Sequence, residues 1–278
     1  MSGEERLLER RLASIREEGR LAFIPFLVVG DPTPEAFERA AGALVEAGAD
    51  VLELGFPFSD PPADGPVVQA ADNRALAAGV TVEECFSRVA AVTARHQIPV
   101  SLLVYYNLVL QMGIDTFYAR ARAAGIDAVL VADVPLELSG PLVASAREHR
   151  VAPVFLASAV TSEDRARQIS EHAEGYIYAA ARVGITGARE KMAQPALASL
   201  VERLRSAEIE LPILAGFGLS TPAHLAAVAD SGADGAIVGS ALVRAYAEQL
   251  PDIDAAVAAL VDAARPLAQA ARATRVRK

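Results

Sequence analysis

A chain of 278 residues, 53% of them apolar, can bury a sizeable core, and a formal charge of −9 argues against a basic groove for nucleic acid. The single cysteine, Cys85, forms no internal disulfide, which suits a reducing compartment, and no apolar run reaches membrane-spanning length. The charged start, Met1-Ser2-Gly3-Glu4-Glu5-Arg6, lacks the apolar core of a secretory signal, so a cytoplasmic protein with no membrane partner is expected.

Apolar spacing predicts an amphipathic helix over Glu4–Glu18, with Leu7, Leu8, Leu12 and Ile15 on one side and Gly19 as its stop. A strand over Ala22–Val29 closes on Gly30-Asp31-Pro32, and a helix over Pro34–Ala47 has Pro at its first turn and Gly48 past its end. Val51–Leu54 has the length and branching of a short buried strand, and the Gly- and Pro-rich run that follows cannot continue it. Helices follow over Val67–Ala77 and Val82–His96, then a strand over Pro99–Val104, a helix over Asp115–Ala124 and a strand over Ala128–Val131. The pattern continues with a helix over Pro135–Glu148, a strand over Pro153–Leu156, a helix over Glu163–Ser170 and a strand over Gly175–Ala180. Helix Ala196–Ser206, strand Pro212–Ala215, helix Pro222–Ala229 and strand Gly235–Val238 lead to two closing helices, Ser240–Gln249 and Ile253–Ala273. The basic tail, 272–278, reads as a frayed solvated end.

This alternation argues a parallel sheet. A repeated form, Ala47-Gly48-Ala49-Asp50-Val51, Ala124-Gly125-Ile126-Asp127-Ala128 and Ser231-Gly232-Ala233-Asp234-Gly235, recurs early and late, which suits a closed barrel better than an open doubly wound sheet. The expected architecture is α/β: one (β/α)8 TIM barrel over 1–278, with an extra N-terminal helix (1–20) covering its bottom and an extended C-terminal helix.

In such a barrel functional groups collect at strand C-termini. Glu53 is a carboxylate inside an apolar strand, and Asp64 lies on the loop beyond. A buried charge costs several kcal/mol unless paired, so Glu53 is either one half of a structural ion pair or a functional group. Tyr105 and Asn107, Asp133, Tyr178 and Arg182 follow later strands. Gly216-Phe217-Gly218 and Gly239-Ser240 each set backbone N–H groups ahead of a helix; as a pair they favour a phosphate site over plain turn chemistry. The four histidines have no ligand spacing, so no metal site is expected, and no lysine ends a strand to form a Schiff base; Lys191 on a loop is the nearest. Acid–base chemistry on a phosphorylated substrate, without metal or bound cofactor, remains.

The stretch Glu53-Leu54-Gly55-Phe56-Pro57-Phe58-Ser59-Asp60-Pro61-Pro62-Ala63-Asp64-Gly65-Pro66 resembles the central motif of the tryptophan synthase α family. The likeness extends through Phe23–Phe26, Leu102–Asn107, Leu130–Pro135, Gly175–Tyr178, Arg182–Gly187, Gly216–Gly218 and Gly239–Ala241. Two departures are Ala157-Ser158-Ala159-Val160 after the fifth strand, where the family has Ala-Pro or Pro-Pro, and Ala181, where it often has Ser. The resemblance implies a lyase that cleaves indole-3-glycerol phosphate to indole and glyceraldehyde 3-phosphate. It implies Glu53 as proton carrier, Asp64 as an ionised partner for the indole N–H and Tyr178 supporting Glu53. It implies Gly187, Gly216, Phe217, Gly218, Gly239 and Ser240 around phosphate, and Phe26, Leu103, Leu130 and Phe217 around indole. Arg182 and Thr186 belong to an expected lid, with Thr186 reaching Asp64. Pro57, Asp60 and Asn107 are expected to meet a β subunit in an α2β2 complex, where pyridoxal phosphate belongs to the β subunit alone. The alternatives are a stand-alone lyase releasing free indole and a non-catalytic activating partner.

Overall fold

The computed structural model describes residues 6–180, 194–216 and 218–276. Eight parallel strands close into a barrel in chain order: β1 (Ala22–Val28), β2 (Leu52–Gly55), β3 (Val100–Val104), β4 (Ala128–Val131), β5 (Ala152–Ser158), β6 (Ile177–Ala180), β7 (Ile213–Gly216) and β8 (Gly235–Val238). Twelve α-helices lie among the described residues: α1 (Leu7–Glu18), α2 (Pro34–Ala47), α3 (Pro66–Ala77), α4 (Val82–His96), α5 (Tyr106–Met112), α6 (Ile114–Ala123), α7 (Gly140–Glu148), α8 (Glu163–His172), α9 (Gln194–Ser206), α10 (Pro222–Asp230), α11 (Ser240–Ala247) and α12 (Ile253–Ala273). None is long and apolar enough to cross a membrane.

Period-two alternation splits the strand side chains between two cores. Leu52, Leu54, Val100, Leu102 and Ala215 pack outward against the helices. Ile24, Leu130, Val154, Tyr176, Tyr178, Leu214 and Ile237 point inward and share a cluster with Leu8, Leu12 and Ile15 of α1. The apolar face of α1 therefore plugs the barrel bottom.

The repeated Gly-x-Asp unit has a physical reason. Asp50 donates its N–H to the Phe23 carbonyl (2.9 Å) and accepts the Phe23 N–H on its carboxylate (3.0 Å). Asp127 does both with Val100 (2.9 and 3.2 Å), and Asp234 with Ile213 (2.8 Å each). Each Asp thus fastens the start of one strand to its predecessor. Between β5 and β6 the matching residue is Pro153, which has no N–H to satisfy, and Glu174 stands in the Asp position with only its N–H on the Pro153 carbonyl (2.9 Å). The same aspartates hold the plug. Arg11 and Arg20 bind Asp50, Arg16 and Arg205 bind Asp234, and the N–H groups of Leu7 and Leu8 at the start of α1 face Asp127.

Three segments differ from expectation. The stretch after β3 is the helix α5, whose first N–H, at Tyr106, is accepted by Asp133 at 2.7 Å. A cap supplied 27 residues downstream leaves no local sequence signal. The helix expected from Pro135 starts as a 3-10 turn over Leu136–Leu138 and restarts at Gly140, because Pro141 is tolerated only in a first turn. The tail is not frayed as far as Val276: Arg275 bridges Arg20, the Leu21 N–H reaches the Thr274 carbonyl (3.3 Å) and the Val276 N–H reaches the Gly19 carbonyl (3.1 Å).

Asp50→Ala removes the buried partner of Arg20, leaving it only the half-exposed Glu18 carboxylate, and the cap of Phe23, and should lower unfolding free energy by about 3 kcal/mol, the low end of the cost of breaking a buried pair. Urea unfolding measures it; a loss within 1 kcal/mol, the scale of a surface pair, would show that Asp50 is not what holds this end.

Candidate active site

Glu53 lies in register with Phe26 of β1 and Ser101 of β3. Its neighbours Leu52 and Leu54 face outward, so the strand pleat turns Glu53 into the barrel. It is 2% exposed, and its Oε1 has no hydrogen-bond partner among the described residues. Burial, and next the negative charge of Asp64, push its carboxyl up to about 8; the Tyr176 hydroxyl opposes that rise. Ser101 Oγ sits 2.8 Å from the Tyr176 hydroxyl and fixes its orientation.

Asp64 lies on a loop that reads as polar, yet it is buried, at 8% exposed. The Tyr105 hydroxyl donates to its Oδ2 at 2.6 Å, and Gln69 Nε2 donates to its backbone carbonyl at 2.7 Å. Burial raises the Asp64 carboxyl above the ordinary range and Tyr105 draws it back. Glu53 is raised further by the charge on Asp64, so Asp64 ionises first. With its carboxyl near 8, Glu53 keeps its proton at neutral pH beside Asp64, the member of the pair that ionises first.

Both carboxyls line one cavity that opens to solvent. Phe26, Leu103 and Leu130 line it as expected, and so do Tyr178, Gly218, Gly239 and Ser240. Tyr178 is buried and feels the charges of both Glu53 and Asp64. Ser240 opens α11 directly after Gly239, and Gly218 holds a φ of +80°, a conformation that favours glycine. Nonpolar walls also come from Val68, Leu156 and Ile237, which the sequence reading did not select.

Gly216 does not line this cavity. A Cβ there would run into the Tyr178 hydroxyl, so its glycine is a close-approach position under that ring. Pro57 is buried, so only Asp60 and Asn107 of the expected partner-facing residues are exposed. Asp133 is spent capping α5. Phe217, Arg182, Thr186, Gly187 and Lys191 lie outside the described residues. Tyr176 and Ser101 were missed. Each lies two residues before a selected position, Tyr178 and Leu103, and so shares its inward face. Among the described residues no group of three or more His, Cys, Asp or Glu side chains is placed to hold a metal ion.

The chain matches a family model described as tryptophan synthase alpha chain over residues 12–272. A tryptophan synthase alpha chain of Escherichia coli is 45% identical over 265 residues, covering 95% of this chain and 98% of that one. One from Shewanella oneidensis is 46% identical over 83% of this chain and 82% of its own. Among solved structures, a chain of Mycobacterium tuberculosis tryptophan synthase superposes with a TM-score of 0.87 at 33% identity, covering 97% and 99% of the two chains. The alpha subunit from Legionella pneumophila gives 0.86 at 33% identity, covering 96% and 98%.

The raised Glu53 carboxyl sets a pH dependence of stability. Its folded value near 8 exceeds its ordinary 4.5, so native protein keeps a proton that the unfolded chain releases. That contribution is complete below pH 4.5 and is lost as pH rises through about 8. Wild type should lose stability relative to Glu53→Gln across this window, at up to about 1.4 kcal/mol per pH unit. Urea unfolding of both proteins from pH 5 to 9 measures the difference; parallel curves would return Glu53 to the ordinary range.

Proposed function

The chain belongs to the tryptophan synthase alpha-chain family, and from that premise we propose that Glu53 and Asp64 carry out its reaction, the retro-aldol cleavage of indole-3-glycerol phosphate. The observation that carries this reading is the pair itself: two buried carboxyls facing the same largely apolar cavity, Glu53 pushed up to about 8 and Asp64 the first to ionise.

Protonated Glu53 gives its proton to indole C3. The positive charge that develops on the ring is matched at the ring N–H by the Asp64 carboxylate. Glu53, now ionised, takes the proton of the side-chain hydroxyl, the C–C bond breaks with its electron pair returning to the ring, and an aldehyde forms on the departing three-carbon phosphate. Glu53 ends with its proton restored, so no base beyond this residue is consumed. An aromatic ring is accommodated by Phe26, Leu103 and Leu130. Gly218, Gly239 and the start of α11 at Ser240 supply a phosphate cradle of backbone and hydroxyl donors, with no cation required. Tyr178, close to both carboxyls, supports them.

The partner is a β subunit in an α2β2 complex, which carries the pyridoxal phosphate, and the compartment is the cytoplasm. The rim supports docking: beside exposed Asp60 and Asn107 stand Leu110 (50% exposed), Leu138 (69%) and Val160 (78%), on the segments after β3, β4 and β5. Apolar side chains left out on one rim suit burial against another protein.

Glu53→Gln should lower indole release by roughly 10²–10⁴-fold, the usual weight of a general acid–base group, with the fold intact. Turnover within a few-fold of wild type would reject Glu53 as proton carrier. Gly218→Val, placing a branched side chain at φ +80° beside the cavity, should weaken glycerol 3-phosphate binding by calorimetry; unchanged affinity would move the phosphate elsewhere. Val160→Asp should weaken association with a cognate β subunit in sedimentation while leaving basal cleavage alone; unchanged association would remove this rim from the interface.

A further inference from the structure

A third carboxyl stands behind the site, and the reaction above does not use it. Asp72, on the inner face of α3, is 3% exposed, and its Oδ2 is buried with no hydrogen-bond partner among the described residues. Arg74, two residues on, is not available to it: both its Nε and Nη2 donate to Asp31, at 2.7 Å each. The group that favours a charge on Asp72 is the backbone N–H of Phe58, in the loop between β2 and α3. The Phe58 ring stacks on Tyr105 with centroids 5.3 Å apart, and Tyr105 donates to Asp64 at 2.6 Å. A continuous line of contacts thus runs from Asp72 through Phe58 and Tyr105 to the carboxylate that faces the cavity.

We propose that Asp72 is a positioning residue for the cleavage reaction: it holds the loop between β2 and α3 at the Phe58 N–H, and through the Phe58–Tyr105 stack it sets where Asp64 stands in the cavity. The proposal rests on the lyase reading given above. The charges around Asp72 fit this role. Asp64 faces it from the loop and Asp31 from the end of β1; Tyr105 ends β3, and Tyr246 of α11 faces Asp31 and Arg74. Burial first, then the charges of Asp64 and Asp31, push Asp72 up to about 8. Two neighbouring buried carboxyls do not both ionise cheaply. At neutral pH Asp72 therefore keeps its proton, while one of its oxygens still accepts from Phe58.

The test compares Asp72→Leu, which fills the space and removes the acceptor, with Asp72→Asn, which keeps the acceptor. Asp72→Leu should lower kcat for indole release by about 10-fold or more, since a displacement of about 1 Å can cost up to 10²-fold, with glycerol 3-phosphate affinity unchanged. Asp72→Asn should rescue kcat to within about threefold at neutral pH, well inside that range. Wild-type kcat in a folded Asp72→Leu protein, or an Asn variant as impaired as Leu, overturns the proposal. A second measurement does not depend on turnover or on folding of the Leu variant. The carbon-13 carboxyl signal of Asp72 should titrate near 8 in wild type and at lower pH in Asp64→Asn, because the neighbouring charge is gone. Titration in the ordinary carboxylate range, or no shift on removing Asp64, overturns the proposal whatever the enzyme does. Failure of wild type to release indole would instead sink the lyase reading, and the carboxyl titration would still decide the coupling of Asp72 to Asp64.

Discussion

A carboxylate taken out of water must be matched by donors or give up its charge, and the two ends of this barrel answer that demand in opposite ways. At the bottom, Asp50 and Asp234 each meet a strand N–H and arginine side chains, and Asp127 meets a strand N–H and the start of α1. Those carboxylates are fully employed, and what they employ is the frame: strand register and the plug. At the top, Glu53 has an oxygen with no described partner, Asp72 has another, and Asp64 has Tyr105. Burial raises the proton affinity of all three, as it does that of Asp127 below, and the two with an unpartnered oxygen, Glu53 and Asp72, rise to about 8. Structure is built where carboxylates are satisfied, and proton chemistry is available where they are not.

The fold was largely legible because the barrel writes itself in a period. Strand, helix, glycine and aspartate recur, and the aspartate repeat that suggested closure proves to be the hydrogen-bonded seam between successive strands. What the sequence hid is what depends on distant groups. The helix α5 is capped from Asp133, and the basic tail is held by Gly19, Arg20 and Leu21 at the other end of the chain. No window of neighbouring residues contains either partner.

The site was legible in its chemistry and less so in its environment. A glutamate in an apolar strand announces a perturbed group, and the cavity gathers most of the residues singled out around it. Burial is a property of the assembled loop: Asp64 sits on a Gly- and Pro-rich run that reads as polar, yet Tyr105 and Gln69 enclose it. Gly216 shows the same limit from the other side. Beside Phe217-Gly218 it read as part of a phosphate turn, yet its missing side chain makes room for the Tyr178 hydroxyl. A glycine records that something comes close, without recording what.

The plug has a consequence in time. Helix α1 is the first described element to leave the ribosome, yet it is held by Asp50, Asp127 and Asp234. From Arg16 to Asp234 is 218 residues of chain (234 − 16). At roughly 5–20 residues per second, that wait lasts on the order of ten to forty seconds. Throughout it Leu8, Leu12 and Ile15 form an apolar stripe whose place inside the barrel does not yet exist, since the inward face they join includes Leu214 and Ile237. The segment made first is thus among the last to be seated.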